Sequence, residues 1–137
     1  MNAGLLTAAN EVIEALNARE FKMSGIELGD TTSTFEYRYT YELKLGKRWA
    51  KVVCVNENRK HLWNGELRSE DNRFGGVEFF IDTTNGNVHK PQGPVAAKTP
   101  RYNLMSTASR QQLIANANAS QHGSYLYQDF ANRPVNN

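Results

Sequence analysis

The sequence is poor in the residues and runs that build cross-linked, metal-bound or membrane-spanning proteins. Its 137 residues contain a single cysteine, Cys54, which excludes an internal disulfide and the cysteine-rich zinc motifs. No apolar run approaches the roughly 18 to 20 residues that cross a bilayer, and residues 1–18 lack the basic start and continuous apolar block of a signal peptide. These absences predict a soluble, cytoplasmic protein with no membrane partner.

Recognised catalytic motifs are also missing. The chain carries no Gly-x-Ser-x-Gly elbow, Walker loop, dinucleotide fingerprint or kinase signature. Its histidines, His61, His89 and His122, lie in separate segments without a second ligand at a recognised spacing. We therefore expect no metal site, no cofactor and no enzymatic activity. The net charge of +2 is weaker than that of a dedicated duplex-DNA binder, so bulk charge leaves the class of partner open.

The length fits one domain with its own hydrophobic core. We place that domain at residues 1–130 and a flexible C-terminal tail at 131–137. Aromatic residues at 125, 127 and 130 precede the tail and are expected to dock on the body or on a partner.

Two helices are predicted. Apolar residues recur at three- and four-residue spacing over 4–19, which indicates an amphipathic helix. Ser109 followed three residues later by Gln112 forms a capping box and predicts a second helix over 108–120.

Alternating hydrophobicity predicts the first pair of strands. Residues 34–45 alternate strictly, which is typical of a half-buried antiparallel strand. Residues 48–56 are largely apolar on both faces, including Cys54, which indicates a central strand. The two should form a hairpin. The first strand's aromatic face is expected to be buried under the N-terminal helix, and it contains Phe35, Tyr37, Tyr39 and Tyr41.

The middle of the chain predicts two further hairpins. One turns at Asn64-Gly65, and the other joins strand 76–82 to residues 87–90 through Asn85-Gly86. In strand 76–82 the apolar residues Val77, Phe79 and Ile81 are expected in phase. Three prolines between 91 and 100 predict an extended surface segment without regular pairing. The predicted fold is α+β: an N-terminal helix packed on a four- to five-stranded antiparallel meander, with a C-terminal helix and tail.

One group of residues combines basic and aromatic side chains around the first hairpin turn and the following loop. Single-stranded nucleic acid is commonly held by aromatic stacking beside cations that follow the backbone. The alternative is that Trp49 belongs to the core and that the cations are an ordinary solvated hairpin tip. The candidate nucleic-acid-binding residues are Lys47, Arg48, Trp49, Lys51, Arg59, Lys60 and Trp63.

The segment from Gly76 to Leu104 resembles a group of small uncharacterised bacteriophage proteins. The shared pattern is an aromatic-Ile-Asp hairpin with a glycine turn, leading through Val-x-Lys into a Lys/Pro/Arg-rich extension. The matching residues are Phe80, Ile81, Asp82, Gly86, Val88, Lys90, Lys98, Pro100, Arg101, Asn103 and Leu104. The resemblance implies a viral origin and a compact sheet, and it implies no catalytic residue.

These observations leave three functional interpretations. The leading one is a non-enzymatic phage accessory protein that binds a host or viral macromolecule, with a protein as the expected partner, as in host takeover or the inhibition of a defence system. The second is a single-stranded nucleic-acid-binding protein. The third is a minor structural component of the virion.

Overall fold

A computed structural model describes residues 1–24, 38–57, 59–63, 66–70, 73–119 and 123–127. Within them, the side chains of 21–24, 38–39, 56–57, 59–63, 66–70 and 73–75 are not described. The elements in chain order are α1 (Ala3–Ser24), β1 (Arg38–Lys44), β2 (Trp49–Glu57), β3 (Arg59–Trp63), β4 (Glu66–Glu70), β5 (Arg73–Asp82), β6 (Asn87–His89), β7 (Pro91–Gln92), β8 (Val95–Ala96), β9 (Tyr102–Asn103), α2 (Thr107–Asn118) and a 3-10 turn (Ser124–Leu126).

The main sheet has five antiparallel strands in the order β1-β2-β5-β6-β9. Helix α1 precedes these strands in the sequence and helix α2 follows them, so the structure confirms the predicted α+β class. Two separate two-stranded sheets are inserted into this meander: the β3–β4 hairpin lies in sequence between neighbours β2 and β5, and the β7–β8 hairpin between neighbours β6 and β9. Trp63 pairs with Glu66, which confirms the hairpin around positions 64 and 65, although the turn residues themselves lie outside the described residues.

Strand β2 is the central element that its sequence predicts. It pairs with β1 on one side and β5 on the other, and Val52 and Val53 are both fully buried. Cys54 is half-buried and packs against the core, where burial raises the pKa of its thiol to about 12. The continuous apolar run is explained by this double burial.

Helix α1 packs on the sheet with the apolar stripe that predicts it. Tyr41 is buried beneath the helix as expected, whereas Phe35, Tyr37 and the side chain of Tyr39 lie outside the described residues. The Asn17 amide also donates to the Tyr41 carbonyl (3.3 Å) and accepts from the Tyr41 amide (2.8 Å), so it pairs with the backbone of edge strand β1. The buried α1 residues are Leu5, Ala8, Ala9, Val12, Ile13, Leu16 and Arg19.

Helix α2 begins slightly earlier than predicted, because a different serine caps it. The Ser106 hydroxyl accepts from the Ser109 amide at 3.2 Å, so Ser106 is the N-cap. Ser109 instead accepts from the Asn103 amide at 2.8 Å, which ties the helix to β9. The capping box at Ser109 and Gln112 was therefore the wrong assignment, although the helix itself is confirmed.

Two predicted features of the sheet are wrong. Pro91 and Gln92 pair with Ala96 and Val95 in a small hairpin, where the prediction had no regular pairing. Proline is compatible with a strand that has a free edge, and Gly93 takes the positive φ (+60°) that closes the turn. The second wrong feature is in β5. Its Phe79 pairs with Val52 of β2 and its Val77 pairs with Val53, so Glu78 forms a bulge that puts Val77 out of phase with Phe79.

The Asn85-Gly86 turn joins β5 to β6 as predicted. In the described part of the chain, no helix is long and apolar enough to cross a membrane.

Candidate functional site

Four of the seven predicted site residues lie together at one end of the main sheet. Lys47 and Arg48 are exposed in the turn between β1 and β2, and Trp49 and Lys51 are half-buried on β2. The other three, Arg59, Lys60 and Trp63, belong to β3 in the separate hairpin. Their side chains lie outside the described residues, so the structure relates only the first four to one another.

Strand register places further residues on the same face. Trp49 pairs with Asp82, Lys51 pairs with both Lys44 and Phe80, and Phe80 pairs with His89. Paired residues in antiparallel strands point to one side of a sheet, as do residues two apart along a strand. We call this surface, together with the adjoining turn residues Lys47 and Arg48, the basic-aromatic face; its members are Lys44, Lys47, Arg48, Trp49, Lys51, Phe80, Asp82 and His89. Sequence analysis missed Phe80 and His89, because only the pairing across three strands brings them beside Trp49.

The indole of Trp49 is held edge-on by two buried rings. Its centroid lies 6.1 Å from Phe80 and 5.1 Å from His89, at interplanar angles of 83° and 86°. His89 Nδ1 lies 2.7 Å from the Ala97 carbonyl oxygen, and since a carbonyl only accepts, Nδ1 carries the proton. The buried rings of Phe80 and His89 thus hold the Trp49 indole in place, while part of the indole stays accessible to solvent.

Cations surround this aromatic group. The guanidinium carbon of Arg48 lies 5.4 Å from the Trp49 ring centroid, and Lys51 Nζ lies 5.7 Å from that of Phe80. Arg48 also pairs with Asp82 at 3.2 Å, but its side chain remains 64% exposed. The cation–π contact keeps Arg48 beside the indole, and its exposure to solvent lets the guanidinium contact an incoming anion.

Asp82 is the acidic member of the site, and its charge is already engaged. Burial pushes the pKa of this carboxyl upward, but the Thr84 hydroxyl (2.6 Å) and amide (3.0 Å), together with Arg48, outweigh burial and hold the pKa below its usual value. Because Asp82 is ionised and paired, Lys47 and Lys51 add to an excess of positive charge around Trp49.

A second polar cluster lies beneath α1, on the helix-covered side of the sheet. Arg19 is buried and donates to the Tyr41 hydroxyl at 2.8 Å, to Glu20 at 3.2 Å and to the Ala117 carbonyl at 3.2 Å. Tyr125, which is fully buried, donates to Glu78 at 2.7 Å. Burial opposes the Arg19 charge, but the oxygens of Tyr41, Tyr125 and Glu20 outweigh it and raise the Arg19 pKa. These contacts join α1, the sheet, α2 and the 3-10 turn.

The buried tyrosines predict loss of stability at alkaline pH. Burial raises the pKa values of Tyr41, Tyr102 and Tyr125, so the native state keeps protons that the unfolded chain releases near pH 10. The free energy of unfolding should therefore fall as the pH rises above about 10, by up to about 1.4 kcal/mol per pH unit for each such tyrosine. Urea unfolding between pH 8 and 11 measures this slope.

The matched variants are Tyr125→Phe and Tyr127→Phe. Tyr125 is fully buried, whereas Tyr127 is 59% exposed. We expect a shallower alkaline slope for Tyr125→Phe and an unchanged slope for Tyr127→Phe. Equal slopes in both variants would contradict the assignment to buried tyrosines.

One family model matches residues 1–128, and its description is a family of unknown function, DUF7717. No curated protein and no solved structure matches the chain.

Proposed function

We propose that this chain, which belongs to the DUF7717 family of unknown function, has a non-enzymatic role. In this proposal it binds single-stranded nucleic acid through the basic-aromatic face. One observation carries the proposal: the indole of Trp49 rests on Phe80 and His89, is partly accessible, and is surrounded by cations. A supported aromatic ring beside Lys and Arg is the arrangement that stacks a base and neutralises its phosphates.

A single strand suits this face better than a duplex. Stacking on Trp49 requires an unpaired base, because bases inside a duplex are already stacked on one another. The net charge of +2 also limits the number of phosphates that the protein can neutralise. We therefore expect weak binding with a modest salt slope, because the slope scales with the number of neutralised phosphates, and with little sequence preference.

The test is a pair of charge reversals that leave the core unchanged. Lys47 and Lys98 are both exposed, one beside Trp49 and the other in the proline-rich extension. We expect Lys47→Glu to weaken binding to an oligothymidine and an oligouridine and to lower the salt slope of log affinity by roughly 0.7 for each lost phosphate contact. Lys98→Glu makes the same change in net charge and should bind as the wild type does. Fluorescence anisotropy at several salt concentrations measures both.

Trp49→Ala tests stacking separately. Loss of a stacked base should weaken binding by about 1 to 3 kcal/mol without changing the salt slope. Urea unfolding is the control, because Trp49 also packs on Phe80 and His89. The proposal would be refuted by a wild-type dissociation constant above roughly 10⁻⁴ M, or by equal losses of affinity in Lys47→Glu and Lys98→Glu.

The second candidate function is binding of a protein partner, as expected of a phage accessory protein. It is favoured by Leu45, which is 64% exposed beside the basic turn. An exposed apolar side chain amid cations suits a protein surface better than a phosphate backbone. An affinity pull-down from host lysate with and without nuclease separates the two: a stoichiometric protein that survives nuclease and is lost in Leu45→Ser supports this candidate.

A further inference from the structure

We infer that the protein has a second binding site, specific for a small zwitterion of the free amino acid or dipeptide class, in a pocket between β5, the end of β6 and the 3-10 turn. The pocket has a volume of about 420 Å³, within the range of roughly 300 to 1,000 Å³ typical of small-molecule sites. We call it the strand-turn pocket. The lining residues that carry the argument are Val77, Glu78, Lys90, Ser124, Leu126 and Tyr127.

The charges of the lining select the ligand class. Glu78 and Lys90 bring one carboxylate and one ammonium to the same pocket, and Ser124 adds a hydroxyl. A phosphate or another dianion would be attracted by Lys90 but repelled by Glu78, and a simple cation would meet the reverse. A ligand that carries an ammonium and a carboxylate is attracted by both side chains, so a zwitterion is favoured.

The acidic side of the pocket is held in place. Glu78 is the extra residue of the β5 bulge, and one of its oxygens accepts from the Tyr125 hydroxyl at 2.7 Å. Tyr125 is itself fully buried in the core. A bulge commonly re-aims a side chain at a functional position, and the fixed donor lowers the cost of ordering Glu78 when a ligand binds.

The basic side is positioned by contacts of its backbone and its side chain. The Lys90 carbonyl accepts from the Ala97 amide at 2.9 Å, and Lys90 Nζ lies 5.1 Å from the ring centroid of Tyr127. Tyr127 is 59% exposed, so its ring forms an outer wall of the pocket. Val77 and Leu126 supply an apolar surface that would contact an aliphatic side chain of the ligand.

The strand-turn pocket shares no residue with the basic-aromatic face, so this inference stands or falls independently of nucleic-acid binding. The test uses the dipeptide alanyl-leucine, its N-acetyl derivative and its C-terminal amide, each titrated into the full-length protein by isothermal calorimetry or by NMR. We expect alanyl-leucine to bind and each capped form, which lacks one charge, to bind at least about tenfold more weakly.

Variants assign each charge to its partner. Lys90→Gln should weaken alanyl-leucine at least about tenfold, yet cause no further loss for the amide, which has no carboxylate left to lose. Glu78→Gln keeps an oxygen for Tyr125 and should show the same pattern with the N-acetyl form. Lys98→Gln, at an exposed position outside the pocket, should bind alanyl-leucine as the wild type does. Unfolding curves confirm that each variant is folded.

Three results would overturn the inference. One is the absence of alanyl-leucine binding at 10 mM, a concentration well above roughly millimolar dissociation constants. Another is equal affinity for the zwitterion and either capped form. The third is an additive loss when Lys90→Gln is combined with the amide, because additivity means that Lys90 does not contact the carboxylate.

Discussion

Replacing Arg19 with methionine is expected to lower the free energy of unfolding by about 3 kcal/mol. The guanidinium is buried and donates to the Tyr41 hydroxyl, the Ala117 carbonyl and Glu20. Methionine fills much of the same volume but donates nothing, so the Tyr41 and Ala117 oxygens lose a partner inside the protein. Urea unfolding followed by circular dichroism measures the loss.

Two further variants separate the role of Arg19 from helix propensity and from charge. Glu14→Met introduces the same residue at an exposed position of α1 and should change stability by less than about 0.5 kcal/mol. Arg19→Lys keeps the charge but offers a single ammonium in place of the planar fork, so we expect an intermediate loss. If Arg19→Lys were as stable as the wild type, the fork geometry would not matter.

Arg19 also shows where local patterns stop being informative. It lies three residues after Leu16 and seven after Val12, so helical spacing continues the buried stripe through this position. Its residue type argues the opposite, because arginine is seldom fully buried. Apart from the neighbouring Glu20, its acceptors Tyr41 and Ala117 lie 22 and 98 residues away in the sequence. No local window contains those acceptors.

The features of the strands also divide into those that local sequence predicts and those that depend on distant residues. The alternation of β1 and the two-sided apolar pattern of β2 are local properties, and both predict their strands correctly. The bulge at Glu78 and the hairpin at Pro91 depend on which strand lies alongside, and both were missed. The first supplies the carboxylate of the strand-turn pocket, so one candidate site arose at a departure from regular register.

Only part of the basic-aromatic face could be predicted from the sequence, because its other residues meet through strand pairing. Lys47, Arg48, Trp49 and Lys51 are close in sequence, so composition alone identifies them. Phe80 and His89 come to Trp49 only through the pairing of β2 with β5 and of β5 with β6. These two rings decide how Trp49 is held, which is the property on which the proposed function depends.

Replacing Gly86 with alanine is expected to destabilise the protein by about 2 to 4 kcal/mol, through two separate causes. Gly86 has φ of +81°, a region that alanine adopts only with strain. A Cβ at this position would also lie 2.8 Å from Met105 Cγ and 3.3 Å from Leu5 Cδ1. The Gly86 backbone cannot easily move away, because its amide donates to the Asp82 carbonyl (2.8 Å) and its carbonyl accepts from Leu104 (2.9 Å).

Gly93→Ala is the matched control that isolates the contact from the strain. Gly93 has φ of +60°, and no described atom lies within 4 Å of where its Cβ would be. Its replacement should therefore cost only the conformational strain of about 1 kcal/mol. Met105→Ala in the Gly86→Ala background should then recover part of the larger loss, since it removes the atom in closest contact. Equal losses at the two glycines, or no recovery by Met105→Ala, would show that backbone conformation alone fixes Gly86 in the turn between β5 and β6.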